Sequence, residues 1–369
     1  MTEDARYSIF LATAPGLEAA LAQEAAARGF AEPRAVAGGV EVAGGWADVW
    51  RANLELRGAG RVLVRLGAFR AMHLAQLDKR ARKFPWASVL RRDLSVRVDA
   101  VCRASRIYHA GAAAQRVERA IAEELGAPIA ADAGIVVKVR IDDDLVTISL
   151  DTTGESLHKR GHKQAVAKAP MRETMAAMFL REMGFDGSQT VVDPMCGSGT
   201  FVIEAAEMAA GLAAGRSRGF AFENLSSFDP AAWRAMRASP APTTPENRFH
   251  GSDRDAGAIR MSVQNAARAG VSEWTDFACL PVGDLTPPKG PPGIVIVNPP
   301  YGARVGNKGP LYGLHAAMGE VFRDRFAGWR VGIVTSEAGL ARATGLPLEA
   351  GPIIAHGGLK ARLWQTPRG

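Results

Sequence analysis

The chain has 369 residues, 47% hydrophobic and 22% charged, with 45 Lys/Arg against 38 Asp/Glu, a formal net charge of +7 and a pI near 9.6. That length predicts two or three domains, each large enough for its own core, and the basic balance favours an anionic partner. Cys102, Cys196 and Cys279 lie far apart, with no Cys-x-x-Cys pair and no His at ligand spacing from any of them, so neither a disulfide scaffold nor a zinc site is expected and no metal is assigned.

At the N-terminus, Met1 to Arg6 lacks a basic region followed by an apolar core, and no run approaches about 18 apolar residues. A cytoplasmic protein is the expectation. The segment Tyr7–Ala12 then reads as a strand and Gly16–Arg28 as an Ala/Leu/Glu helix. Further on come a strand near Leu94–Val101, a helix over Ala110–Glu124, and strands around Ile135–Val139 and Leu145–Leu150 separated by Asp142-Asp143-Asp144. Such a mixture suits compact α+β modules.

Residues 79–106 hold nine cations, Lys79, Arg80, Arg82, Lys83, Arg91, Arg92, Arg97, Arg103 and Arg106, against Asp93 and Asp99. With Phe84, Trp86 and Tyr108 nearby, the cluster reads as a surface for phosphates and unstacked bases; a solvated basic face is the plainer alternative for any one residue. Near Asp151–Lys168 the apolar periodicity lapses and Gly, His and Lys accumulate, which marks a domain boundary. There His158, Arg160 and His162 fit either hydrogen-bonded hinge residues or RNA contacts.

Beyond the boundary the pattern changes to alternating strands and helices. Strands are expected near 190–194, 248–253, 275–280, 293–298 and 330–336, and Ile353–His356 with Lys360–Trp364 reads as a terminal hairpin across Gly357-Gly358. This is the signature of a mostly parallel sheet covered on both faces. In Thr190-Val191-Val192-Asp193-Pro194-Met195-Cys196-Gly197-Ser198-Gly199-Thr200 a strand runs through a Gly-rich turn into a helix. Gly197 and Gly199 allow a sharp turn and close approach of a ligand to helix N–H groups.

A dinucleotide fingerprint would need a third glycine where Val202 stands, and a phosphate loop would need Gly-Lys-Ser/Thr. Asp193 at the strand end disfavours a pyrophosphate and suits a ligand with a cationic ammonium or sulfonium group. S-adenosyl-L-methionine carries both. Asp253, ending the next strand, is a candidate acceptor for ribose hydroxyls or else a helix N-cap before a helix from about Asp255 to Arg268. Asp284 is an adenine-amino acceptor or a turn residue. Cys196 reads as packing beside the cofactor rather than as a nucleophile.

The apolar run Gly293-Ile294-Val295-Ile296-Val297 ends in Asn298-Pro299-Pro300-Tyr301. The prolines stop the strand, and the first pushes Asn298 toward extended geometry at the strand's carboxyl end, where open α/β sheets bind ligands. A side-chain amide, a proline-fixed carbonyl and a flat ring suit methyl transfer to a planar, weakly nucleophilic nitrogen. The bland alternative is a Pro-Pro turn with Tyr301 as packing. Arg304 fits a phosphate contact or a surface salt bridge.

The order Asp-Pro-Met-Cys-Gly-Ser-Gly-Thr, Gly-Ser-Asp, Asn-Pro-Pro-Tyr-Gly resembles class I S-adenosylmethionine-dependent methyltransferases, specifically the THUMP-containing RNA guanine-N2 methyltransferases and, among them, the RlmL half of the bacterial 23S rRNA family RlmKL. Gly161-His162-Lys163, Ala169-Pro170-Met171-Arg172-Glu173-Thr174, Gly219-Phe220-Ala221-Phe222, Phe228-Asp229 and Trp233 match that family too. Arg172 stands where relatives often carry Lys, and the bifunctional relatives continue into a second methyltransferase beyond the point matching Gly369.

The resemblance implies a ferredoxin-like segment over 1–66, a THUMP RNA-binding domain over 67–154 and a Rossmann-like methyltransferase domain over 155–369. It implies S-adenosyl-L-methionine held by Pro170, Arg172, Glu173, Thr174, Asp193, Pro194, Cys196, Gly197, Gly199, Thr200, Asp253, Arg254, Asp284 and Asn298, with Asn298, Pro299, Pro300 and Tyr301 at the reacting base. The expected partner is structured RNA, 23S rRNA or a large-subunit precursor, with no membrane. Methylation of a tRNA guanine, of an adenine N6 or of a protein glutamine, and a catalytically silent RNA-binding assembly factor, are the alternatives.

Overall fold

In the computed structural model, residues 6–164, 171–238, 241–300, 309–356 and 359–367 are described, and they fall into two compact units. The first comprises Met1–Thr13, Ala22–Leu157 and Arg218–Ser239; the second comprises Ala14–Leu21, His158–Ser217 and Pro240–Gly369.

Through the first unit the chain runs β1 (Tyr7–Ala12), α1 (Glu18–Ala27, whose first four residues fall in the second unit), β2 (Ala31–Val36), β3 (Gly39–Gly44), α2 (Trp46–Glu55), β4 (Arg61–Arg70), α3 (Leu74–Ala81), β5 (Val96–Arg103), α4 (Ala110–Leu125), β6 (Ile135–Asp142) and β7 (Leu145–Asp151). Its strands form one seven-stranded sheet in the order β2-β3-β1-β4-β7-β6-β5. Alternation drives it: Ile9, Leu11, Val40, Val42, Val62 and Val64 point to one face and are buried. The long strand β4 joins its two parts, pairing with β1 through Arg61–Arg65 and with β7 through Leu63–Arg70. Its register to β7 shifts between Arg65 and Gly67, so the 66/67 position falls at an irregularity inside a strand. The edge strand β2 carries Pro33 and is mostly exposed, which explains why no periodicity announces it.

In the second unit α5 (Glu173–Glu182) and β8 (Val191–Asp193) lead into α6 (Thr200–Ala209). The chain then enters the segment belonging to the first unit, with α7 (Pro230–Arg237), before β9 (Phe249–Asp253), α8 (Ala256–Ala269), β10 (Thr275–Cys279), β11 (Ile294–Val297), α9 (Gly309–Arg325), β12 (Arg330–Thr335), α10 (Ala338–Ala343), β13 (Glu349–Ala350), β14 (Ile354–His356) and β15 (Leu359–Gln365). The sheet order is β10-β9-β8-β11-β12-β15-β13, with β14 paired to β15. Strands β10, β9, β8, β11 and β12 are parallel, and β15 is antiparallel to β12, β13 and β14. Ile294, Val295, Ile296 and Val297 are all 0% exposed, as the centre of a sheet covered on both faces requires.

Within the first unit, the Arg218–Ser239 segment is fixed by rings. Trp233 meets Phe222 edge-on at 5.0 Å and Phe220 at 5.8 Å, and Trp50 of α2 lies 6.1 Å from Phe222 and 6.0 Å from Phe228. Arg218 Nη1 donates to Ser156 O at 2.9 Å, and Arg218 stands over the Phe220 ring at 5.2 Å. These aromatics are a core, which is why the segment carries so many of them.

Candidate active site

From β8 the chain moves outward to β9 and β10, then returns to place β11 on the other side of β8. Asp193 and Asn298 therefore end or directly follow two adjacent parallel strands at the point where strand order reverses. Sheets of this kind open a crevice there, beyond the strands' carboxyl ends. Gly293 allows the close pairing, since a Cβ on it would lie 2.2 Å from the Thr190 carbonyl oxygen.

On the β8 side, Asp193 is 2% exposed and its Oδ1 accepts from Met195 N at 3.1 Å. Burial pushes its carboxyl up to about 8, and the neighbouring Asp253 adds to the rise. Gly197 and Gly199 both have positive φ, +55° and +84°, and the amide of Gly197 donates to Asp253 Oδ2 at 3.1 Å. Asp253 Oδ1 accepts from Asp255 N at 3.0 Å. The N-cap of α8 is Asp255, whose side chain accepts from Gly257 N, so the N-cap alternative considered for Asp253 is overturned. Ser262 Oγ lies 3.7 Å from Cys196 Sγ, and burial raises the Cys196 thiol well above its ordinary range, which leaves it protonated and unreactive.

On the β11 side, Oδ1 of Asn298 is buried and has no hydrogen-bond partner among the described residues. An orphaned buried acceptor is costly, and one aimed into a crevice is expected to be met by a ligand donor. Pro299 is buried and Pro300 exposed. Pro170, Tyr301 and Arg304 lie outside the described residues.

The family described as "RMKL-like, methyltransferase domain" matches residues 160–347, and "RlmL ferredoxin-like domain" matches 8–63. The chain belongs to the RMKL-like methyltransferase family. It is 32% identical over 354 residues to "Ribosomal RNA large subunit methyltransferase K/L" of Psychromonas ingrahamii, covering 92% of this chain and 47% of that protein, so the chain spans about half the length of this curated relative. Among solved structures, a possible methylase from Clostridium difficile superposes with a TM-score of 0.90 at 28% identity, covering 99% of this chain and 98% of that one. A putative methyltransferase complexed with SAH superposes with a TM-score of 0.88 at 26% identity, covering 99% of each chain. The Rossmann-like architecture is that of the family.

For the RMKL-like domain, the structure adds a buried ionic layer that sequence reasoning missed. Arg160 Nε donates to Glu204 Oε1 at 3.0 Å with both side chains 1% exposed, and His162 Nε2 lies 3.4 Å from Glu207, which also accepts from Arg216 at 2.6 Å. Lys163 Nζ donates to Met171 O and Thr200 Oγ1, both at 2.9 Å, and lies 3.2 Å from Glu173 Oε1. The signal was present: two carboxylates three residues apart in the otherwise apolar helix Thr200–Ala209 require buried cations. The RNA-contact alternative for Arg160 and His162 is thereby overturned, because both are inside the second unit. Burial lowers the His162 imidazole and pushes His158 down to about 4, with Arg172 adding to the latter, so both are neutral near pH 7.

Of the other expected cofactor contacts, Glu173 and Thr174 are buried in the first turn of α5 and Arg172 is its exposed N-cap. Pro194 is buried, while Arg254 and Asp284 are exposed beyond β9 and β10.

The basic cluster of the first unit is less uniform than its sequence suggests. Arg82 is tied to Asp78 at 2.9 Å, Glu123 at 2.6 Å and Glu124 at 3.1 Å; Arg91 pairs with Asp93 at 2.6 Å and Arg97 with Asp99 at 3.4 Å. Arg106 lies 3.9 Å from Asp144, and Arg80 stands over Phe69. Lys79, Lys83, Arg92 and Arg103 are exposed, with no ion-pair partner among the described residues. Trp86 was expected to offer a ring to bases; it is 2% exposed and its Nε1 donates to Ala81 O, so it is core. Phe84 packs on Trp86 at 5.2 Å. Tyr108, 84% exposed, remains available.

Proposed function

We propose that this chain transfers a methyl group from S-adenosyl-L-methionine to the exocyclic N2 of a guanine in large-subunit ribosomal RNA, forming N2-methylguanosine. The observation that carries this reading is the buried, unpartnered Oδ1 of Asn298 beside the Asp193 turn, an acceptor and a cation-compatible pocket at one strand-order reversal. The named activity of the Psychromonas ingrahamii relative and the SAH held by a structural neighbour support it.

When bound, S-adenosyl-L-methionine supplies an electrophilic methyl group on a cationic sulfonium. Around it, the backbone turn at Gly197 and Gly199 leaves room for the nucleoside, Asp253 offers its remaining lone pairs to ribose hydroxyls, and the Asp193 carboxylate balances the ligand's positive charge. Asn298 Oδ1 and the Pro299 carbonyl accept the two amino hydrogens of guanine. That orients the nitrogen in line and favours its pyramidal form. Carbon–sulfur bond breaking and nitrogen–carbon bond formation leave the nitrogen cationic, and one proton then departs to solvent without a strong base. Guanine must be unstacked to reach such a site, so a loop or extruded base is the substrate. Lys79, Lys83, Arg92, Arg103 and Tyr108 supply phosphate and stacking contacts.

Labelled methyl transfer to purified large-subunit rRNA and to bulk tRNA, followed by nucleoside mass spectrometry, tests the reading. N2-methylguanosine in rRNA is expected; label in tRNA alone, or N6-methyladenosine, would overturn it.

A further inference from the structure

The ammonium of Lys163 is 8% exposed and binds three groups from two helix starts: the Met171 carbonyl and Glu173 carboxylate at the head of α5, and the Thr200 hydroxyl at the first residue of α6. An ammonium is a donor only, so the Thr200 oxygen must accept. Its own hydrogen is then turned away from Lys163, and no acceptor receives it among the described residues. Thr200 itself is 6% exposed and directly follows the Gly-rich turn.

We infer that Lys163 is a positioning residue that aims the Thr200 hydroxyl, at the head of α6, at the carboxylate of the amino-acid end of the methyl donor. This rests on the proposed use of S-adenosyl-L-methionine. The charge logic is consistent. Two helix N-termini and a cation converge, Glu173 offsets one positive charge, and an anion completes the balance. Asp193, on the same strand-turn-helix, serves the opposite charge of that amino-acid group. Glu173 is paired with Lys163.

Calorimetry on the full chain with two probes separates positioning from general loosening. S-adenosylhomocysteine carries the amino-acid end; methylthioadenosine shares its adenosine and thioether but lacks that end. Lys163→Met and Thr200→Val are each expected to weaken S-adenosylhomocysteine binding by about tenfold or more, the size of a charge-assisted hydrogen bond, while leaving methylthioadenosine within about twofold. Equal loss for both probes in a folded variant, or unchanged binding of both, would overturn the inference. If Lys163→Met does not fold, Thr200→Val, close in shape, decides alone. Failure of the unsubstituted protein to bind S-adenosylhomocysteine would instead refute the cofactor reading itself.

Discussion

The amide of Gly197 donates to Oδ2 of Asp253 at 3.1 Å, so the turn after β8 is held by the carboxylate that ends β9. One residue thus shapes the loop and retains lone pairs for a ligand. Asp253→Asn keeps the size but confronts the Gly197 N–H with an amide that has a single acceptor oxygen. Affinity for S-adenosylhomocysteine is expected to fall by about tenfold to a hundredfold, as read by calorimetry; unchanged affinity would remove Asp253 from the site.

Asn298→Ala deletes the orphaned acceptor without touching the Gly-rich turn. Methyl transfer should drop by about a hundredfold or more, the cost of losing one aligned polar partner of a reacting group, while cofactor affinity stays within a few-fold. Single-turnover transfer and calorimetry on the same preparation check both halves, and an active variant contradicts the mechanism.

Asp193 ionises at about 8 in the ligand-free fold against an ordinary value of 3.8. Between these values the folded state holds a proton that the unfolded chain has released, so apo stability falls as pH rises through that window. A cationic ligand favours the carboxylate, so cofactor binding expels the proton and affinity should climb with pH up to about 8. Asp193→Asn removes the titration. Its Tm advantage over the unsubstituted apo protein should widen from pH 5 to pH 8, and an advantage that does not change with pH would sink this account.

Replacing Lys79, Lys83, Arg92 and Arg103 together by Ala should weaken RNA binding and flatten its salt dependence, each lost phosphate contact lowering the slope of log K against log salt by about 0.7 to 0.9. Arg82→Ala, already tied to Asp78, Glu123 and Glu124, should leave that slope unchanged. Filter binding over a salt series distinguishes them; equal slopes for the quadruple variant and the unsubstituted protein would argue for a merely solvated face.

The elements legible in the sequence were those with a clean period: β1 over Tyr7–Ala12, the four aliphatics of β11, and α4 from Ala110. Asn298 and the Gly197-Gly199 turn stood out because Pro and Gly restrict or free the backbone locally. What stayed hidden depends on partners distant in the chain. Nothing local reveals that Arg160 meets Glu204, that Trp86 turns inward, or that Arg82 is neutralised from α4, since burial and charge pairing are decided only when helices pack.

The passage of Arg218–Ser239 into the first unit, together with Ala14–Leu21 into the second, means that a cut at the linker does not part the two units. A cut near residue 157 would strip the second piece's Phe222 and Phe228 of Trp50 and leave Trp50 of the first without its cover. Each unit is therefore completed by a stretch of chain from the far side of the linker, and the two are interleaved in sequence rather than laid end to end.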